Sequence, residues 1–455
     1  MTYSEFYASL VGKTVAVCGI GHNNTPVVLQ LLEHGANVIA CDKRSREELG
    51  DTAELLEKAG AVLQLGETYL DTLDADLILR TPGMKPYLEA FNTARKNGKA
   101  VTSEMELFFD LCPAPLYAVT GSDGKTTTTT IIAGLLAAAG KTVHLGGNIG
   151  RPLLPVIDEI TANDVAVVEL SSFQLTMMDQ SPQVAVVTNV APNHLDWHTD
   201  MQEYIDAKKN LVAHQRREDR AVLNADNETT AAFAADCVGE VWLFSRRHIV
   251  ERGTYLGDDG VLYGTDGHTT TAILRADEIR IPGVHNIENY LAAFAAVWGT
   301  VSVECMAQYA RTFTGVPHRC ELVRERDGVK WYNDSIGSSP SRTIAGLKTF
   351  DRKVILIAGG YDKHIPYDPL GSVAAETVKA AVLLGATADA IETAIRAHSS
   401  LPITRVATMK EAVAAADKLA HEGDIVFLSP ASASFDMYKN FEERGDHFKS
   451  LVNDL

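Results

Sequence analysis

The sequence predicts an α/β protein whose strands run mostly parallel, with loops gathered at one edge of each sheet. Three observations carry this. Short apolar, β-favouring runs alternate with helix patterns along the whole chain, the order that βαβ units impose. Glycine-bearing turns follow several of those runs, as in Gly19-Ile-Gly21, Thr81-Pro-Gly83, Gly121–Gly124 and Gly359-Gly360, and the carboxyl edge is where open α/β sheets bind ligands. At 455 residues the chain has room for roughly two to four domains. Three segments emerge: 1–112, 113–315 and 316–455.

Composition narrows the function. The chain is 46% hydrophobic and 22% charged, as expected of a globular protein. Its 41 basic and 59 acidic residues give a net charge of −18, which argues against nonspecific binding to nucleic acid or to an anionic membrane. Six scattered cysteines without a C-x-x-C pair read as buried thiols in a reducing cytoplasm. The amino terminus lacks the basic and apolar regions of a signal peptide, and no apolar run is long enough to span a bilayer.

In the first segment, Thr14 to Cys18 is an apolar strand, Gly19 to Asn24 a glycine turn, and Val27 to Leu32 a helix that Gly35 can cap. Val38 to Cys41 is a second strand, followed by Asp42. An acidic residue about 20 positions after the glycines is the Rossmann arrangement, where the carboxylate meets a ribose. Asn24 stands in place of the third glycine, so a dinucleotide, another nucleotide and a plain structural turn all fit. Asp76 to Leu79 is a further strand, ending at Thr81-Pro-Gly83.

The second segment opens on Leu116 to Val119, a strand, then Gly121-Ser-Asp-Gly-Lys-Thr-Thr127, then an apolar helix at Ile131 to Ala139. Strand, glycine loop, Lys-Thr and helix form a phosphate cradle. Loop N–H groups and the helix dipole favour an anion there; Lys125 would meet the outer phosphates and Thr126 offer a hydroxyl to Mg²⁺. The usual P-loop has a glycine where Val119 sits. Asn148 lies in a glycine turn able to present its amide. Val165 to Ser172 contains a buried strand ending at Glu169, a carboxylate that suits Mg²⁺ directly or through water. His194 follows the strand Val184 to Val190, at the same sheet edge. Lys208, on a helix with Tyr204 and Lys209, reads by itself as a solvated helix residue. Ala221 to Leu223, Val241 to Phe244 and the Gly257-Asp-Asp-Gly260 hairpin extend the sheet. Asn286 and Asn289 share one face of a later helix, suited to adenine edges or to capping.

In the third segment, Lys330 to Asn333, Val354 to Ala358, Ala381 to Leu384 and Ile425 to Leu428 are strands, and a last amphipathic helix holds Phe441 and Phe448. Gly315 and Pro317 suggest a hinge at 314–317, just before His318 and Arg319.

Together, Thr120 to Thr127, Gly147-Asn-Ile-Gly150, Glu169-Leu-Ser-Ser-Phe-Gln174, Asn189 to Asp196, Pro317-His-Arg319 and Asn333-Asp-Ser335 resemble the Mur ligases, over essentially the whole chain. The resemblance implies three α/β domains: a Rossmann-like N-terminal one for a UDP-linked precursor, a central P-loop-type mononucleotide-binding one, and a Rossmann-like C-terminal one for an amino acid. Glu169-Leu-Ser-Ser-Phe-Gln174, Thr312 to Arg319 and Leu428 to Asp436 point to the member that joins D-glutamate to UDP-N-acetylmuramoyl-L-alanine. The implied reaction uses ATP, proceeds through an acyl phosphate and belongs to cytoplasmic peptidoglycan synthesis by a monomer.

The same resemblance assigns roles. Gly121, Ser122, Asp123, Gly124, Lys125, Thr126, Thr127, Asn286, Asn289, Arg319 and Asp334 contact ATP. Thr126 and Glu169 hold one Mg²⁺; His194 and Lys208 serve a second. An ammonium has no lone pair for a metal, and the family's answer is N6-carboxylation of Lys208. Lys125, Glu169, His194 and Lys208 are the expected catalytic set. Gly21, His22, Asn23, Asp42, Lys43, Arg44 and Gly83 match the uridine diphosphate site, while Asn148 and Ser172 face the acceptor. Lys363, Ser434 and Phe435 bind D-glutamate, with Ser338 and Phe441 as further substrate contacts. Closure about 314–317 would then exclude water from the acyl phosphate. The missing glycine at Val119 is this family's own variant. One departure stands out: Ile336 occupies a usual Lys position, with Arg342 able to compensate. The alternatives are another amino-acid ligase of the superfamily, an impaired nucleotide-binding homologue, and a nicotinamide oxidoreductase, which would leave the phosphate loop without purpose.

Overall fold

The structure is a computed structural model and describes every residue from Met1 to Leu455 except His22, Asp196 and His364. The chain divides into two compact units, Met1–Ala276 with Ile287–Tyr309, and Asp277–Asn286 with Ala310–Leu455. The first unit holds two sheets and the second holds one.

The first sheet contains β1 (Thr14–Cys18), β2 (Asn37–Asp42), β3 (Val62–Leu65), β4 (Leu77–Arg80) and β5 (Ala100–Thr102), in the order β3-β2-β1-β4-β5. All pairs are parallel. The order reverses at β1, between β2 and β4, so the loops after β1 and β4 flank the crevice where ligands enter. The helix Asn24–Glu33 ends where Gly35, at φ +82°, donates to Leu32 O at 3.0 Å, the left-handed stop read from the sequence.

The second sheet runs β14-β13-β12-β11-β10-β9-β6-β8-β7. Its parallel part is β6 (Leu116–Thr120), β7 (Val143–Gly147), β8 (Val165–Glu169), β9 (Val184–Val187), β10 (Arg220–Asn224), β11 (Glu240–Ser245) and β12 (Gly253–Leu256). β13 (Val261–Thr265) and β14 (Thr270–Arg275) continue it antiparallel, with β12 and β13 joined through the Gly257–Gly260 turn. Here the switch point is β6, between β8 and β9, which puts the phosphate loop, Glu169 and the loop after β9 at one edge. The first two sheets share one apolar core that includes Val17, Leu31, Phe108, Leu116, Leu153 and Val187.

The helix expected at Ile131 to Ala139 instead spans Lys125–Ala138. Six residues of Lys and Thr open it, a run with weak intrinsic helix preference. Thr129 and Thr130 return their hydroxyls to the carbonyls of Lys125 and Thr126, each at 2.8 Å, and packing against β6, β7 and β8 overrides propensity.

The sheet of the second unit is β15-β16-β20-β17-β18-β19, from β15 (Glu321–Arg326), β16 (Val329–Asn333), β17 (Val354–Ala358), β18 (Val378–Leu383), β19 (Ile403–Arg405) and β20 (Ile425–Leu428). β15 pairs antiparallel with β16; the other pairs are parallel. Buried side chains pack on both faces, as parallel strands require.

Candidate active site

The phosphate loop is built by backbone constraint. Gly121 has φ +152°, and a Cβ there would stand 1.8 Å from Thr188 Oγ1; only glycine fits. The loop after β9 pins it from the side. Ser122 N donates to Asn189 O at 2.9 Å, Asp123 N to Asn189 Oδ1 at 3.0 Å, and Thr188 Oγ1 to Asp123 O at 2.6 Å. Gly124, at φ +79°, is the N-cap of the helix Lys125–Ala138 and has no side chain to cap it, so the first-turn N–H groups face the loop. A Cβ at Gly124 would lie 2.4 Å from Asn289 Oδ1. Asn289, from the helix Val284–Val297, also accepts from Thr128 Oγ1 at 3.2 Å, so one predicted ATP residue stands at the loop. Asn286 Nδ2 donates to Pro282 O at 2.5 Å, a bond from the side chain back to the carbonyl four residues before it.

Two ammonium groups converge on one carbonyl. Lys125 Nζ donates to Gly121 O at 3.0 Å and Ser122 O at 2.9 Å. Lys208 Nζ donates to the same Gly121 O at 2.8 Å. The solvated reading of Lys208 is corrected here: the residue is only 1% exposed, because its helix, Met201–Ala213, packs that face against β6 and β9. Burial first, and then the like charge of Lys125, pull its ammonium from 10.5 down to about 7. The Tyr204 ring lies 4.6 Å from Lys208 Nζ, and Tyr204 Oη is 2.8 Å from Ser122 Oγ.

Glu169 ends β8 and is buried. Asn148 Nδ2 donates to its Oε1 at 2.7 Å, and Asn148 N to its carbonyl at 2.8 Å. Gly147, at φ +93°, permits this approach, since its Cβ would fall 2.3 Å from Glu169 O. Glu169 Oε2 is buried without a hydrogen-bond partner among the described residues. An orphan carboxylate oxygen at such a site is a place for a cation. His194 sits at φ +54° in the loop after β9, edge-on to Phe173 at 5.0 Å. Among the described residues no cluster of three His, Cys, Asp or Glu suggests a metal; the candidate donors here include a threonine and a lysine.

At the first sheet's switch point Asp42 closes the glycine turn. Its Oδ2 accepts Ile20 N at 2.7 Å and its Oδ1 accepts Arg44 N at 3.0 Å, while Arg44 Nη2 pairs with Oδ2 at 2.9 Å and also donates to Ile20 O. Burial pushes the Asp42 carboxyl up, but the hydrogen bonds from Arg44 and Ile20 outweigh it and hold the pKa low. Asn24 Nδ2 donates to Gly19 O at 2.9 Å, which explains a residue other than glycine there. Asn23 is the N-cap of the helix Asn24–Glu33, and Lys43 is exposed. Gly83 O accepts Trp197 Nε1 at 3.0 Å. His22, also expected here, lies outside the described residues.

In the second unit, Asp334 follows β16 and is buried. Cys320 N donates to its Oδ1 at 3.2 Å and Ser429 Oγ to its Oδ2 at 2.7 Å. Burial raises its carboxyl to about 6 despite these bonds and the nearby Arg319. Ile336 N donates to His318 O at 3.1 Å, and the Phe441 ring is edge-on to His318 at 5.9 Å. Lys363 Nζ reaches Ser338 O at 3.5 Å, Ser434 is buried, and Phe435 is 64% exposed with its ring 6.0 Å from Tyr361. Arg444 carries no functional signal in the sequence. Buried on the helix Phe441–Asn453, it donates to Ser335 Oγ at 2.9 Å, Ser335 O at 2.8 Å, Ser432 O at 3.1 Å and Ala433 O at 3.0 Å, joining the loops after β16 and β20. In the sequence it follows two glutamates on a charged helix, a pattern that signals solvent.

Residues 119–297 match the Mur ligase middle domain and residues 318–432 match the Mur ligase glutamate ligase domain. The chain is 53% identical to the UDP-N-acetylmuramoylalanine–D-glutamate ligase of Acetivibrio thermocellus, across 99% of this chain and 98% of that protein. It is 48% identical to the ligase of the same name from Clostridium novyi, across 100% and 99%. In fold it is similar to a UDP-N-acetylmuramate–alanine ligase from Thermotoga maritima, with a TM-score of 0.56 at 17% identity over 97% of this chain and 99% of that one. With both domain matches in place and about half of all residues shared with full-length relatives, this chain belongs to the Mur ligase family.

Proposed function

We propose that this chain is an ATP-dependent ligase that adds D-glutamate to UDP-N-acetylmuramoyl-L-alanine in peptidoglycan precursor synthesis. The observation that best supports this chemistry is the pair Lys125 and Lys208 meeting at Gly121 O, next to the phosphate loop. Full-length identity of 48% to 53% with ligases of that name supports the substrates.

A carboxylate is a poor electrophile and an anion meets repulsion from a polyphosphate. In the proposed reaction a carboxylate oxygen of the L-alanyl substrate attacks the γ-phosphorus, the bond to the β-phosphate oxygen breaks, and ADP leaves. The D-glutamate amine, in its neutral form, then attacks the acyl carbon; phosphate departs from the tetrahedral intermediate, and the nitrogen loses one proton and keeps the other as the amide N–H. Lys125 would leave the loop carbonyls for the outer phosphates and offset their charge. Gly121, Ser122, Asp123, Gly124, Thr126 and Thr127 cradle the phosphates; Asn286, Asn289, Arg319 and Asp334 take the rest of ATP. Asn23, Asp42, Lys43, Arg44 and Gly83 hold the uridine diphosphate, Asn148 and Ser172 the acceptor. Lys363, Ser434 and Phe435 hold D-glutamate, with Ser338 and Phe441 as further substrate contacts. These roles correspond to domains at 1–112, 113–315 and 316–455, in a cytoplasmic monomer. None of the described helices is long and apolar enough to cross a membrane.

Two Mg²⁺ ions fit the donor set. Thr126 and Glu169, with its orphan Oε2, would hold one; His194 and a carboxylated Lys208 would serve the other. Bound Mg²⁺ would screen the phosphate charge during transfer. Lys208 suits carboxylation because, at about 7, much of its amine is neutral and able to add to CO₂. Phosphate release measured with each UDP-muramoyl precursor against D- and L-amino acids tests the function. Release that needs both the L-alanyl precursor and D-glutamate is expected; indifference to D-glutamate would refute it.

A further inference from the structure

His198 has no role in the reaction so far, yet it is 3% exposed and held on three sides by rings. Phe173, Trp197 and Tyr204 lie 5.7, 4.7 and 5.3 Å from it. Its Nε2 is 2.9 Å from Ser172 Oγ; its buried Nδ1 makes no hydrogen bond among the described residues and lies 3.7 Å from Glu203 Oε2. Glu203, in the first turn of the helix Met201–Ala213, accepts Thr199 N at Oε2 and Tyr87 Oη at Oε1, the latter at 3.0 Å. Capping explains the bond to Thr199. It does not explain a buried imidazole between that carboxylate and Ser172.

We propose that His198 is a positioning residue that makes Ser172 a hydrogen-bond acceptor toward an N–H of the UDP-linked substrate. The inference rests on the ligase reading above. Burial disfavours a charged ring, and a neutral imidazole has one N–H and one lone pair. The nitrogen beside the carboxylate keeps the proton, so Nδ1–H faces Glu203 and Nε2 takes the Ser172 Oγ–H. With its one proton committed, Ser172 presents only lone pairs to a ligand. It then receives an N–H and repels a carboxylate or phosphate; a serine without this partner would rotate and donate to the anion. The L-alanyl substrate offers an amide N–H next to the carboxylate that is phosphorylated. Holding the first leaves the second turned toward ATP. The link through Glu203 to Tyr87 ties this polarity to the loop of Gly83, whose carbonyl accepts Trp197 Nε1 at 3.0 Å.

The test is steady-state kinetics of wild type, His198→Phe, His198→Gln, Ser172→Ala and the Phe/Ala double variant, with ATP and D-glutamate saturating. An analogue methylated at the alanyl amide nitrogen accompanies the natural substrate. His198→Phe and Ser172→Ala should each raise KM for the UDP-linked substrate about 10-fold with kcat changed less than about 3-fold, the scale of one hydrogen bond. The double variant should be no worse than either single one, and His198→Gln, which can accept from Ser172, should recover most of the loss. The methylated analogue should bind wild type about 10-fold more weakly than the natural substrate, and Ser172→Ala should not distinguish the two. Wild-type kinetics in His198→Phe, multiplied losses in the double variant, or equal discrimination by wild type and Ser172→Ala would overturn the proposal. If His198→Phe does not fold, the analogue on wild type and Ser172→Ala decides it. No turnover by wild type with the natural substrate and D-glutamate would refute the ligase reading instead.

Discussion

Replacing Lys208 with methionine should stabilise the CO₂-depleted protein at neutral pH while removing its activity. A fall from 10.5 to about 7 corresponds to about 5 kcal/mol against the buried ammonium, at about 1.4 kcal/mol per factor of ten. Methionine keeps the length and apolar stem and removes the charge beside Lys125. The carbonyl of Gly121 is not orphaned, because Lys125 Nζ also donates to it at 3.0 Å. Allowing for relaxation and lost packing, a net gain of about 1–2 kcal/mol is expected. The sign follows from linkage. Lys208 is lowered in the folded state, so the unfolded chain binds more protons between about 7 and 10.5, and wild-type stability falls as pH drops through that window. The advantage of Lys208→Met should therefore be full at pH 7 and fade toward pH 10 in denaturant titrations. Adding bicarbonate at pH 7.5 should stabilise wild type and leave the variant unchanged, with a mass gain of one CO₂ on wild type alone. A variant less stable than wild type at every pH would contradict a costly buried ammonium, and one that keeps ligase activity would contradict a part for Lys208 in the reaction.

Gly121→Ala should abolish measurable ATP binding and lower the unfolding midpoint, since its Cβ would lie 1.8 Å from Thr188 Oγ1; calorimetry with an ATP analogue checks this. Asp334→Asn should be more stable than wild type above pH 6, by at most about 3 kcal/mol. Its carboxyl is raised from 3.8 to about 6, so wild type loses stability as pH rises through that range while the amide does not; urea titrations at pH 4 and pH 7.5 should show the gap opening. Glu169→Gln should fold, because Asn148 Nδ2 can still donate to the retained carbonyl oxygen, but Mg²⁺ should no longer strengthen ATP binding. Arg444→Lys should destabilise the chain by about 2–4 kcal/mol, since one ammonium cannot reach Ser335, Ser432 and Ala433 together; denaturant midpoints measure it.

β1, β17 and β20 were legible in the sequence at their observed limits because each is a continuous apolar run between turn signals. Edge strands such as β15, with charges at Glu321, Arg324, Glu325 and Arg326, and the three-residue strands β5 and β19 gave no such signal, since they are defined by their neighbours. The phosphate loop, Glu169 and Asp334 could be read because each stands at a strand's carboxyl end, where topology collects ligands regardless of detail. Glycine at 121 and 124 could likewise be read as backbone necessity. What tertiary structure alone decided is the electrostatics. Lys208 and Arg444 are ordinary charged helix residues by pattern, and His198 is one imidazole in a polar loop. Their burial and one partner of each, Gly121 for Lys208, Ser335 for Arg444 and Ser172 for His198, come from elements distant in sequence, and charge in a protein responds to what surrounds it in space. The chain's own order therefore specified which loops stand at the carboxyl edges of the sheets, and packing set the surroundings of the charged groups there.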